Sequence, residues 1–90
     1  MYTRTTTVLN ASGLHARPAS QFVAEAKKYT SDITIKNLNK DKGPISAKSI
    51  ILLLTLAITK GSEVEITANG EDEVIAVDNL IKLIESGFDE

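Results

Sequence analysis

The 90-residue chain contains no cysteine, no tryptophan and only one histidine. Without thiols it can build neither a disulfide framework nor thiolate chemistry. One imidazole and no thiolate also argue against a transition-metal site. The only aromatic residues are two tyrosines and two phenylalanines. With no dense basic patch beside them, nucleic-acid binding is disfavoured. The longest apolar run, Ile50 to Leu54, is far too short to span a bilayer. Met1-Tyr2-Thr3-Arg4-Thr5 lacks the apolar core of a secretory leader, so no export signal is expected. Net charge is −2, with the acids concentrated in the last third. A hydrophobic content of 42% suits a soluble globular protein. The length predicts one domain over residues 1–90 with a modest core.

Periodicity divides the chain into alternating elements. Tyr2 to Leu9, rich in Thr and Val, predicts a strand, and Asn10 to Gly13 a turn. Ala16 to Lys28 predicts a helix with one apolar stripe of Ala19, Phe22, Val23 and Ala26. Pro18 is harmless in a first turn, whose N–H groups are unbonded anyway. Ile33 and Ile35 alternate with Thr34 and Lys36, and Val64, Ile66 and Ala68 with Glu65 and Thr67. Both segments predict half-buried strands. Pro44 to Ala47 predicts a short edge strand. Ile50 to Ile58 predicts a helix, with Ser49 as N-cap and Lys60-Gly61 as its stop. After the Asn69-Gly70 turn, Glu71, Asp72 and Glu73 are expected in the first turn of a last helix, where negative charge is stabilising. Its apolar stripe is Val74, Val77, Ile81 and Ile84, and Ser86-Gly87 should end it. The order is β-α-β-β-α-β-α.

The chemistry gathers at Gly13-Leu14-His15-Ala16-Arg17-Pro18-Ala19. His15 lies between a turn and a helix start, beside N–H groups that no earlier carbonyl satisfies. The helix dipole adds partial positive charge there, and phosphate is the usual anion to exploit it. Arg17 can supply a forked guanidinium clamp. A nucleophilic nitrogen, an anion site and a guanidinium are what a phosphohistidine needs. Two readings of His15 remain open on this basis, an exposed cap residue or a phosphate carrier. Arg17 is correspondingly either a solvated first-turn residue or a phosphate ligand.

All seven positions of that segment resemble the active-site signature of the HPr family, the histidine-containing phosphocarriers of the bacterial sugar phosphotransferase system. The resemblance continues through Gln21-Phe22-Val23, Tyr29-Thr30-Ser31-Asp32-Ile33-Thr34 and Ser46-Ala47-Lys48-Ser49-Ile50, then at Lys60-Gly61 and Ala68 to Glu73. It implies an α+β open-faced sandwich: a four-stranded antiparallel sheet with three helices on one face. It implies a cytoplasmic, monomeric carrier rather than an enzyme, without cofactor, metal, nucleic acid or membrane insertion. The carrier would accept phosphate on His15 from the general phosphotransferase enzyme, with Arg17 as phosphate ligand. It would pass the group to sugar-specific acceptor proteins.

The resemblance further implies a docking surface of Ile50, Ile51 and Leu54, with Lys27 and Lys48 at its rim. Independently, a helix apolar on every side in so small a domain should leave some of that surface exposed. Ser49 aligns with a second phosphorylation site, used by a serine kinase/phosphorylase in many bacteria; its alternative role is the N-cap. One region departs from the pattern. The turn from Asn37 to Ile45 is longer, with Lys42-Gly43-Pro44 as the extra residues, which puts recognition by such a kinase in question. Competing readings are a carrier in a nitrogen-regulatory or dihydroxyacetone-kinase phosphotransfer chain, and a module that regulates partners by binding alone.

Overall fold

A computed structural model describes all 90 residues. The elements are β1 (Tyr2–Thr7), α1 (Ala16–Ala26), β2 (Asp32–Asn37), β3 (Lys42–Ser46), α2 (Ile50–Leu54), β4 (Glu63–Asn69) and α3 (Glu73–Glu85), followed by a 3-10 turn at Gly87–Asp89. The four strands form one antiparallel sheet in the order β1-β4-β2-β3. The β-α-β-β-α-β-α order matches the sequence reading.

Alternation along the central strands decides which face is covered. Ile33 and Ile35 of β2 and Val64, Ile66 and Ala68 of β4 are buried. They join Phe22, Val23 and Ala26 of α1, Leu53 of α2 and Ala76, Val77, Leu80, Ile81 and Ile84 of α3 in one core cluster. The opposite face is polar: Thr3, Thr67, Thr34 and Ser46 form one row across all four strands. Strand β1 lacks apolar alternation because it lies under the polar flank of α3. The Tyr2 hydroxyl and Arg4 guanidinium donate to Asp78 at 2.9 and 3.0 Å, and the Thr6 hydroxyl donates to Glu85 at 3.5 Å.

The structure corrects several boundaries. β1 ends at Thr7 rather than Leu9, which is exposed. α1 ends at Ala26, because the Lys28 and Tyr29 amides already donate to Glu25 and Ala26 carbonyls in tighter turns. α2 stops at Leu54 instead of Ile58: Ala57 adopts a left-handed backbone (φ 52°), so the reversal does not wait for Gly61. In α3 only Glu73 occupies the first turn; Glu71 precedes the helix and Asp72 is its N-cap. Val74 is 52% exposed, while Ala76 and Leu80 complete the buried stripe. At 100° per residue, Val74 lies roughly 90° from the centre of that arc, at its margin.

Asp72 does not cap α3 with its side chain. Its carboxylate instead accepts from the Thr30 amide (2.9 Å), the Ser31 amide (3.0 Å) and the Ser31 hydroxyl. The link ties the start of α3 to the α1–β2 connection. The Ser31 hydroxyl, then the Thr30 amide, hold its carboxyl down to about 2. A depressed folded-state pKa stabilises above the unfolded value of about 3.9, and the contribution disappears as pH falls through the folded value. Asp72→Asn should therefore lower the melting temperature at neutral pH. In a melting series from pH 7 downward, the gap to wild type should close between about pH 4 and pH 2. A gap independent of pH would show that charge on Asp72 contributes nothing.

Candidate functional site

The loop before α1 is held by a close approach of two backbones. Gly13 is buried with φ +64°, and a Cβ built on it would lie 2.4 Å from the Ile58 carbonyl oxygen and 2.7 Å from Thr59 Cα. Only glycine fits both the space and the left-handed conformation. The next residue, Leu14, is buried, and its amide donates to the same Ile58 carbonyl at 3.1 Å. These contacts fix the chain one residue before His15.

His15 is the N-cap of α1 with extended backbone (φ −128°, ψ 165°), and its side chain makes no capping hydrogen bond. The imidazole is half-buried on an open surface with no pocket around it. Ala16 follows with φ +51°, a left-handed conformation that costs a residue with a Cβ. The turn leaves the Ala16 and Arg17 amides without a hydrogen-bond partner in the preceding loop. Pro18 has no amide to satisfy. The helix thus begins with free donors and the positive end of its dipole beside an imidazole. Arg17 is exposed and its guanidinium forms no hydrogen bond or ion pair at contact distance. His15 and Arg17 both lie at the start of α1.

The apolar helix lies alongside. α2 starts near the end of α1, where the Lys48 ammonium donates to the Tyr29 carbonyl at 2.7 Å. The chain leaving α2 returns to the His15 loop, which it meets at Ile58. Ser49 caps α2, its hydroxyl accepting from the Leu52 amide at 3.2 Å. Leu53 is 1% exposed and belongs to the core, whereas Ile50, Ile51 and Leu54 are exposed. Leu52, 43% exposed, joins them. Sequence reasoning passed it over, although five consecutive apolar residues in a short helix cannot all face one core. Lys27 is exposed and Lys48 half-buried. Both lie at the far end of α1, about 16 Å of helix from His15. Ser49 shares that end, so it neighbours the apolar surface and not the imidazole.

A second group missed by sequence reading reaches the His15 loop from the other end of the chain. The Glu90 carboxylate accepts from the Asn10 side-chain amide (2.9 Å), the Ser12 amide (3.1 Å) and the Ser12 hydroxyl (2.5 Å). No local pattern announces a contact across 78 positions.

The family model described as the PTS HPr component phosphorylation site matches residues 2–86. The chain belongs to the HPr family. The phosphocarrier protein HPr of Haemophilus influenzae is 46% identical over 84 residues, covering 93% of this chain and 95% of that one. A multiphosphoryl transfer protein of the same organism is 42% identical over 86 residues; the match spans 96% of this chain and 17% of that protein. A crystal structure of HPr from Thermoanaerobacter tengcongensis superposes with a TM-score of 0.93 at 40% identity, covering 100% of this chain and 98% of the other. HPr proteins are phosphocarriers of the phosphotransferase system rather than enzymes, and this member carries phosphoryl groups in that system.

The exposures within α2 separate surface from core. Ile51, 74% exposed, should tolerate Ile51→Glu within about 0.5 kcal/mol of wild-type stability. Leu53→Ala, two residues on, should cost about 2–5 kcal/mol. Urea unfolding of both variants measures the contrast. Equal losses would mean that α2 presents a different face.

Proposed function

We propose that His15 is the phosphoryl acceptor and that Arg17 binds the group once attached, within one HPr-like domain spanning residues 1–90. The observation that carries this reading is the open helix start: an uncapped imidazole, two free amides and an unpaired guanidinium within three residues. A neutral imidazole nitrogen attacks phosphorus, forming the N–P bond as the donor's bond to phosphorus breaks. The dianion then gains hydrogen bonds from the free amides and from Arg17, both charge-assisted. The donor is the general phosphotransferase enzyme and the acceptors are sugar-specific proteins. The occurrence of an HPr-like segment inside a multiphosphoryl transfer protein supports phosphotransfer enzymes as partners. The protein acts as a cytoplasmic monomer; no helix is long and apolar enough to cross a membrane.

Partners dock on Ile50, Ile51, Leu52 and Leu54. Lys27 and Lys48 steer encounter with acidic surfaces, an effect on association rate more than on affinity. Lys27 is the freer of the two, since the Lys48 ammonium is engaged by Tyr29. Ser49 is a regulatory phosphorylation site for a serine kinase/phosphorylase. A phosphate there keeps its place at the start of α2 but sets a dianion beside the apolar surface.

Incubation with phosphoenolpyruvate and the general enzyme should add one acid-labile phosphate. His15→Ala should abolish it while leaving the fold intact. Arg17→Ala should slow transfer about 10- to 100-fold, the worth of a charge-assisted hydrogen bond, with little change in melting temperature. Labelling that persists in folded His15→Ala would refute the assignment.

Ser49→Asp should weaken docking of the donor, read as a raised apparent Kd in a titration of donor enzyme. Phosphotransfer at saturating donor should be unchanged. An unaltered Kd would reduce Ser49 to a helix cap.

A further inference from the structure

The turn between β2 and β3 is fastened to the chain leaving α2. Asn37 is fully buried, and its side-chain amide donates to the Leu56 carbonyl at 2.9 Å. The Asn37 side-chain oxygen accepts from the Asn39 amide at 3.1 Å, and the Asn39 side-chain oxygen accepts from the Glu63 amide. The Leu38 amide donates to the Glu63 carbonyl at 2.9 Å. This is the turn that departs from the family pattern by its extra Lys42-Gly43-Pro44. Its charges are sorted by face. Lys36 alternates with the buried Ile35 and Asn37, so it points to the polar face of the sheet, and it holds Asp41 there in an ion pair of 3.1 Å. Lys42 stands directly opposite Asn37 in the ladder, and residues so paired project to one face. Lys42 therefore projects to the helix side, exposed and without an ion pair. The Lys40 ammonium donates to the Ala57 carbonyl at 3.4 Å, and the Ala57 amide donates back to the Leu54 carbonyl at 3.3 Å. Lys40 and Lys42 thus stand at the exit of α2, as Lys27 and Lys48 stand at its entry. From Lys42 to Ser62 the chain carries three lysines and no acid, although the whole chain is net negative.

We propose that the β2–β3 turn is a second arm of the docking surface, in which Lys40 and Lys42 meet carboxylates on the general phosphotransferase enzyme, the one partner that every cycle of transfer requires. The inference rests on the reading of α2 as the docking surface. A protein face that covers Ile51 and Leu54 ends against Lys27 and Lys48 on one side and against Lys40 and Lys42 on the other. Carboxylates at both borders match it, and a basic border would be repelled. The arm is ordered before the partner arrives, because Asn37 and Asn39 tie it to Leu56 and Glu63. Contact then costs the settling of two side chains rather than the folding of a loop. Asp41 does not weaken the arm, since Lys36 keeps its carboxylate at the polar face. The extra residues of the turn thereby add to partner selection without altering the surface around His15.

Lys40→Gln combined with Lys42→Gln removes both charges. In steady-state phosphotransfer from phosphoenolpyruvate, the double variant should raise the donor's KM for the carrier about three- to tenfold, the worth of two exposed ion pairs. The kcat and the melting temperature should be unchanged, and the rise in KM should shrink at high salt. Lys42→Glu alone should also raise KM, and it leaves the bond from Lys40 to Ala57 in place. Lys82→Glu is the control. It changes net charge as much as the double variant, but on α3, which lies over β1 at the opposite edge of the sheet. Its KM should match wild type. An unchanged KM in the turn variants, or an equal rise in Lys82→Glu, would overturn the proposal. Ile51→Glu separates it from the reading beneath it. If that variant raises KM and the turn variants do not, the arm alone falls; if neither raises KM, α2 is not the docking surface and both fall.

Discussion

The sheet has one covered face, and most of the molecule follows from that asymmetry. All buried apolar side chains must point to one side of four strands. Three helices share that side, so each can give the core only a stripe. α1 and α3 are long enough to have a stripe and a polar remainder. α2 is not: five apolar residues bury Leu53 and leave their neighbours at the surface. An exposed apolar surface is thus the geometric remainder of a one-sided core. The same layering brings the connection after α2, at Ile58 and Thr59, against the loop before α1, and this contact fixes the chain just before His15.

Local backbone chemistry then makes the imidazole serviceable. Gly13 allows the loop to press against Ile58 and Thr59, and the left-handed Ala16 swings the chain into α1 with its first amides unclaimed. The cost of placing a Cβ in that conformation is borne where an anion would recover it. Negative charge is managed differently at the two other helix-linked carboxylates. Asp72 spends its hydrogen bonds on stitching two connections together, whereas Glu90 braces the loop before α1.

The strands, the helix order and the placement of His15 and Arg17 at the start of α1 were legible in the sequence because each is written in short range. Alternation at Ile33/Ile35 and Val64/Ile66/Ala68 and the stripe of α1 needed no knowledge of distant residues. The extent of α2 was not legible. Its end is a left-handed Ala57, which no glycine marks, and the run of aliphatic residues continues past it. Val74 was misplaced because a residue at the margin of an apolar arc is settled by what packs there, not by its spacing. The α1–β2 stitch by Asp72 and the loop brace by Glu90 join positions 41 and 78 apart. Such pairs exist only after the chain has folded, so no window of sequence contains them.

The brevity of α2 has a consequence for any attempt to copy it in isolation. A five-residue helix is well below the length at which a peptide holds helical shape in water. Its order is borrowed from the Ser49 cap, from Leu53 in the core and from the Ile58–Leu14 clasp. A synthetic copy of residues 49–56 would therefore be unstructured in water. A copy that keeps this surface in shape has to carry the sheet behind it, or replace the sheet with a covalent brace.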